Sequence, residues 1–337
     1  MLDEVHEVAN SPLLPEDEAL LQAVLAGQRR ALAKAITLVE SSRADHRRRA
    51  NELLRVLLPH TGRSIRLGIS GVPGVGKSTF IEALGMWLVE RGKRLAVLAV
   101  DPSSSISGGS ILGDKTRMEL LAARPEAFIR PSPSAGSLGG VAEKTREAML
   151  LSEAAGFDVV VVETVGVGQS ETTVADMVDM FILLQLPNAG DDLQAIKKGI
   201  VEVADFILIN KADLNPPAAS FACAQWRSAL KMLRTLSPNW SPPVLTLSAA
   251  RKEGLEVFWK EVLRFKSTME ASGEFQAKRK AQAVRWMWNL IDAGLRQRFC
   301  EHPAVKAKLG GLSECVANGQ VSPTAAAQQL LSYMQHA

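Results

Sequence analysis

The sequence predicts an α/β fold, a mostly parallel sheet flanked by helices with further helices at both ends of the chain. Three observations predict it. A glycine-rich run, Gly71-Val72-Pro73-Gly74-Val75-Gly76-Lys77-Ser78, stands between a short apolar stretch and a helical pattern. Several other runs are apolar throughout instead of alternating, as expected of strands covered by helices on both faces. Polar residues close a number of these runs, at the sheet edge where open α/β sheets hold their ligands.

Taken in order, the stretch from about Pro15 to Leu58 carries apolar residues three and four apart. Leu20, Leu21, Val24 and Leu25, then Leu32, Ile36 and Val39, then Leu53, Leu54 and Leu57 predict two or three amphipathic helices. These form an N-terminal helical extension over 1–62, closed by Pro59 and Gly62. Six strand-like runs follow within a domain expected over 63–265. They are Arg66 to Ser70, Leu95 to Val100, Val159 to Glu163, Met180 to Leu186, Phe206 to Asn210 and Val244 to Leu247. The connections 102–113, 131–140 and 187–199 are long and rich in Gly, Ser and Pro, which predicts functional loops next to the phosphate loop.

Over 266–337 no strand signal remains. Ala283, Trp286, Met287, Leu290, Ile291, Leu295 and Phe299 make one broad apolar stripe on a long helix, and a shorter helical pattern runs from Ala325 to Met334. A helical cap and a dimerisation arm both fit. Tryptophan on a stripe outside the sheet favours the arm, so a homodimer is expected.

The glycine-rich run satisfies G-x-x-x-x-G-K-[ST], and its strand-loop-helix setting gives that pattern a mechanism. It defines a P-loop NTPase. Its glycines let successive backbone amides converge on the phosphates. The helix that follows adds the positive end of its dipole. Lys77 supplies a mobile cation, and Ser78 a hydroxyl for Mg2+, a cation that takes oxygen ligands.

Asn210-Lys211-Ala212-Asp213 fits N-K-x-D, and it follows an apolar run. The Asp213 carboxylate can accept from the two donors of guanine, N1–H and the 2-amino group, which adenine lacks; GTP and GDP are therefore expected over adenine nucleotides. Asn210 holds either the loop or the base edge, and the Lys211 stem lies along the ring. Ser248-Ala249-Ala250 fits the remaining base loop, where amides reach the guanine oxygen. Glu163 stands where a carboxylate holds Mg2+ through water, Gly166 offers an amide to the γ-phosphate, and Asp101 reaches either the metal or the attacking water. Val167 follows Gly166 where small signalling GTPases carry a water-orienting Gln, which predicts slow hydrolysis unless a partner supplies the missing group.

Composition narrows the class further. The chain has 337 residues, 47% hydrophobic and 22% charged, with a net charge of +3. That is ordinary globular usage, and so small a charge gives no argument for nucleic acid. No apolar run approaches the ~18 residues of a membrane span. The acidic start lacks the layout of a signal peptide, and a cytoplasmic location is expected. No His or Cys lies between Thr61 and Ala222, which excludes an imidazole or thiolate metal site in that stretch.

Three longer segments carry a resemblance. Val100-Asp101-Pro102-Ser103-Ser104-Ser105, Gly108-Gly109-Ser110-Ile111-Leu112-Gly113-Asp114-Lys115-Thr116-Arg117 and Val162-Glu163-Thr164-Val165-Gly166-Val167-Gly168-Gln169-Ser170-Glu171 closely resemble the MeaB/ArgK family, and the likeness extends over nearly the whole chain. It implies a homodimeric GTPase that chaperones an adenosylcobalamin-dependent acyl-CoA mutase, usually methylmalonyl-CoA mutase, gating cofactor loading and protecting the mutase. It also places Ser78, Asp101 and Glu163 at Mg2+, Gly71, Val72, Pro73, Gly74, Val75, Gly76, Lys77, Ser78 and Thr79 at the phosphates, and Asp213 with Ser248, Ala249 and Ala250 at guanine. The segment 186–199 resembles the family's extra switch, with Lys197 and Lys198 as candidates for a rate-raising cation. The alternative is a nickel-insertion-type GTPase, which shares the phosphate loop.

Overall fold

A computed structural model describes residues 13–100, 118–131, 138–164, 170–187, 198–232 and 237–334. Seven strands form one sheet: β1 (Ile65–Gly71), β2 (Leu95–Val100), β3 (Ala127–Arg130), β4 (Val159–Thr164), β5 (Met180–Gln185), β6 (Phe206–Ile209) and β7 (Val244–Thr246). Their order is β3-β2-β4-β1-β5-β6-β7 and every pairing is parallel. The expected sheet is thus present, with one more strand than the apolar runs predicted. β3 escaped because it offers only Ala127, Phe128 and Ile129 between Pro125 and Pro131, too short a run to separate from a buried turn.

Alternation along each strand divides the core into two layers. Val160 and Val162 of β4, Phe181 and Leu183 of β5, and Ile207 and Ile209 of β6 face one side, together with the helices α1 (Pro15–Leu25), α2 (Arg29–Glu40) and α3 (Ala44–Leu57). Val159 and Val161, Met180, Ile182 and Leu184, and Phe206 and Leu208 face the other. There they meet α4 (Lys77–Val89) and the helix Leu255–Ala271. Phe258 centres this second layer, edge-on to both Phe80 and Phe206 at 5.3 Å between ring centroids. Both faces are covered, which is why the strands read as unbroken apolar runs.

Polar clamps fasten the N-terminal helices to the sheet. Arg94, at the start of β2, donates to the carbonyl of Gly27 at 3.1 Å and to that of Ala155 at 2.8 Å. Arg130 of β3 pairs with Glu40 at the end of α2. Under β1, Arg66 and Glu153 form a buried ion pair at 2.7 Å, and Glu153 also accepts from the Gly62 amide at 2.9 Å. Removing one member of such a pair costs about 3–5 kcal/mol, because the other charge is left buried.

Two compact units are present, residues 1–275 and 276–337. Within the second, the helix Pro303–Ala317 packs against the helix Pro323–Ser332 and buries Val305, Ala326 and Leu330. The first of these two helices gave little sequence signal, since Gly310-Gly311 interrupts it. Along the long helix Glu274–Glu301, Val284, Met287, Trp288, Leu290, Ile291 and Leu295 are exposed.

Glu147, on the helix Leu138–Ala154, has its pKa raised from 4.5 to about 7, chiefly by burial and partly by Glu143, while Lys144 opposes the shift. The folded chain therefore binds this proton more tightly than the unfolded chain does. Its stabilising contribution is complete below the unfolded value and is lost as pH rises through about 7. Denaturant midpoints measured from about pH 5 to about pH 8 are expected to fall less in Glu147→Gln than in the parent chain. Equal slopes for the two proteins would contradict this assignment.

Candidate nucleotide site

The phosphate loop leaves β1 at Gly71 and enters α4 at Lys77. β1 lies between β4 and β5, so the loop opens at the carboxyl edge beside two strands that deliver polar groups. Val75 is fully buried and its amide donates to the Val72 carbonyl at 3.2 Å, which closes the turn. Gly76 has φ 93°, and a Cβ there would lie 2.7 Å from Nδ2 of Asn210, so both backbone and neighbour require glycine. Lys77 is buried, and its Nζ donates to the Gly71 carbonyl at 2.7 Å. The loop's own carbonyl thus holds the ammonium inside the concavity.

Two contacts join the loop to β4. Ser78 Oγ donates to Glu163 Oε1 at 3.2 Å, and Thr164 Oγ1 donates to Ser70 Oγ at 2.9 Å. Ile69 pairs in register with Glu163, so the sheet itself brings this carboxylate to the first turn of α4. A hydroxyl and a carboxylate are hard oxygen donors of the kind Mg2+ takes, with water and phosphate completing its shell. Among the described residues there is no group of three or more His, Cys, Asp and Glu able to hold a metal alone. This oxygen pair suits a metal that arrives with a phosphate ligand.

The N-K-x-D segment leaves β6 and ties the site together. Asn210 is buried; its Nδ2 donates to the Val75 carbonyl at 2.8 Å, and its Oδ1 accepts from the Ala249 amide at 3.1 Å. One side chain therefore bridges the phosphate loop and the base loop. Lys211 has φ 59° and donates from Nζ to the Gly74 carbonyl at 2.8 Å, laying its stem across the loop. A hydrogen bond from Ser248 holds the Asp213 carboxyl below its ordinary pKa, with its own backbone amide and Arg251 adding to the effect against some burial. Arg251 Nε lies 3.5 Å from Asp213 Oδ2.

The base loop is a tight reversal. Ser248 and Glu253 exchange backbone hydrogen bonds at 3.1 and 3.0 Å, while Ser248 Oγ accepts from the Arg251 amide at 3.2 Å. Ala249 is buried and Ala250 exposed. Thr79 is exposed in the first turn of α4. Asp101, Gly166 and Lys197 lie outside the described residues, and Lys198 is described only as the first residue of the helix Lys198–Glu202. Arg251 was not singled out from the sequence; its only signal was adjacency to the base loop.

This edge is that of a P-loop GTPase. The profile of the family described as "Methylmalonyl Co-A mutase-associated GTPase MeaB" matches residues 32–304. A "Putative GTPase" of Caulobacter vibrioides is 56% identical over 315 residues, covering 94% of this chain and 97% of its own. The mitochondrial "Methylmalonic aciduria type A homolog" of Mus musculus is 49% identical, over 93% of this chain and 78% of its own. A crystal structure described as LAO/AO transport system kinase superposes with a TM-score of 0.76 at 39% identity, covering 96% of this chain and all of that one. The chain belongs to the MeaB family.

Gly76→Ala combines a left-handed backbone with a close approach to Asn210, strain of about 1–3 kcal/mol. Its unfolding midpoint is expected to drop and its affinity for GDP to fall with it. A variant with the parent's midpoint and affinity would show that the turn tolerates a side chain.

Proposed function

We propose that this GTPase is a chaperone of an adenosylcobalamin-dependent acyl-CoA mutase of the methylmalonyl-CoA mutase type, gating cofactor loading and protecting the mutase. The single observation that carries the proposal is the family match across residues 32–304, which spans both the nucleotide edge and most of the long C-terminal helix. In this reading the amides from Gly71 to Thr79, excepting Pro73, cradle the phosphates while Lys77 moves from the Gly71 carbonyl to phosphate oxygens. Ser78, Glu163 and Asp101 would hold Mg2+, directly or through water. The metal would neutralise charge developing on the phosphates, a large part of the work in phosphoryl transfer.

Asp213 accepts both guanine donors, with Ser248, Ala249 and Ala250 closing over the base and Asn210 fixing their distance from the phosphate loop. Its depressed pKa keeps the carboxyl ionised throughout the neutral range, so base recognition is flat with pH until the ordinary carboxylate range near 3.9 is passed. Gly166 offers its amide to the γ-phosphate, and Lys197 or Lys198 supplies the cation that raises the rate when the mutase is engaged.

A homodimer goes with this reading. The exposed stripe that includes Met287, Leu290, Ile291 and Leu295 is apolar enough to serve as the interface between two copies, and Trp288 beside it suits an anchor. No helix among the described residues is long and apolar enough to cross a membrane, and a cytoplasmic site of action is part of the proposal.

The test is GTP hydrolysis by the purified protein, alone and with a cobalamin mutase from the same cell, at matched Mg2+. Slow turnover alone and stimulation of about 10³-fold or more are expected, by analogy with groups supplied in trans to other GTPases. Stimulation is expected to vanish in the Lys197→Ala, Lys198→Ala double variant. Hydrolysis unaffected by any such mutase would remove the client assignment and leave the GTPase.

A further inference from the structure

Most buried polar side chains in the first unit have evident partners. Asp17 holds Arg49, Glu153 holds Arg66, Asp179 accepts from the Arg66 amide, and Asp205 accepts from the Phe181 amide. Two do not. Glu171 and Gln185 are each 1% exposed, and Glu171 Oε2 and Gln185 Oε1 are buried acceptors without a hydrogen-bond donor.

Their placement is informative. Gln185 is the last residue of β5, in register with Ile209, and its backbone carbonyl accepts from the Asn210 amide at 2.8 Å. Its neighbour Leu184 pairs in register with Gly71 of the phosphate loop. Counting by twos from Phe181 and Leu183 puts the Gln185 side chain on the layer that includes Val174 and Met177. Glu171 stands in the first turn of the helix Ser170–Ala175, which packs on β1, β4 and β5 in that same layer. One turn further on, Val174 reaches to within 3.0 Å of where a Cβ on Gly68 would stand. Both acceptors therefore lie toward the carboxyl edge of one layer, under the nucleotide site. Only six residues lie between Glu171 and Thr164, which is bonded to Ser70 next to the phosphate loop.

A buried acceptor without a donor is costly, and an apolar side chain of the same shape would remove that cost. Two such groups in one layer call for an explanation. We propose that Glu171 and Gln185 are positioning residues of the nucleotide cycle, accepting hydrogen bonds in the GTP-bound protein that they lack in the GDP-bound one. Neither touches the reacting atoms. They act through the helix Ser170–Ala175 on one side and through Asn210 on the other, favouring the arrangement in which Glu163 and Asn210 serve a triphosphate. This rests on the GTPase reading above.

The test compares affinity for a non-hydrolysable GTP analogue with affinity for GDP in the full-length parent chain, Glu171→Met and Gln185→Met, each of which removes the acceptor. Both substitutions nearly keep shape, and thermal unfolding checks that each folds. GDP affinity is expected to change less than twofold, while affinity for the analogue falls about tenfold, the worth of one ordinary hydrogen bond. The double variant is expected to lose less than the product of the two single losses, because the two groups serve one arrangement. Equal changes for both nucleotides, or a shift in unfolding temperature alone, would overturn the proposal and make the pair a packing feature. Should one variant not fold, the GTP-to-GDP affinity ratio of the other decides in the same way. A parent chain that binds neither guanine nucleotide would defeat the GTPase reading itself, a distinct outcome.

Discussion

The site depends on one side chain. Asn210 donates to the Val75 carbonyl and accepts from the Ala249 amide, so a single buried amide fixes the spacing between the loop after β1 and the loop after β7. A neutral, two-ended group is needed here, because one loop presents an acceptor and the other a donor. An Asp could satisfy only the amide, and a Leu neither. Gly76 follows from the same constraint, since any side chain there would occupy the space of the Asn210 amide. Lys211 adds a second tie to the same loop through the Gly74 carbonyl.

The sheet places these groups before any ligand arrives. β1 is flanked by β4 and β5, and parallel pairing aligns the carboxyl ends of all seven strands. Glu163 thereby meets Ser78, and β6 delivers Asn210 next to Val75. The helical layers hold the strands from both sides, with Arg94 and Arg130 reaching into the N-terminal helices and the Phe80, Phe258 and Phe206 stack closing the opposite face.

Much of this was legible in the sequence, for identifiable reasons. Gly71 to Ser78 and Asn210 to Asp213 are contiguous, and their spacing carries the chemistry. Buried parallel strands such as Val159–Thr164 announce themselves by an unbroken apolar run, here Val159 to Val162. What was not legible depends on distant pairing. Nothing local marks β3, whose four residues become a strand only because β2 lies beside them. Nothing local says that Asn210 spans two loops, that Arg251 stands beside Asp213, or that Glu171 and Gln185 share a layer. The burial of Glu147, and with it the raised pKa, likewise comes from packing and not from its neighbours in sequence.

In the proposed reading one strand-end site binds guanine and phosphates together, with Asp213 selecting the base. Direct competition between guanosine and xanthosine triphosphates for the Asp213→Asn variant tests it most directly, because the amide presents a donor to the xanthine carbonyl that guanine's amino group cannot match. The parent is expected to prefer GTP and the variant to prefer xanthosine triphosphate. A variant that still prefers GTP would mean that the base is read elsewhere and would contradict the account.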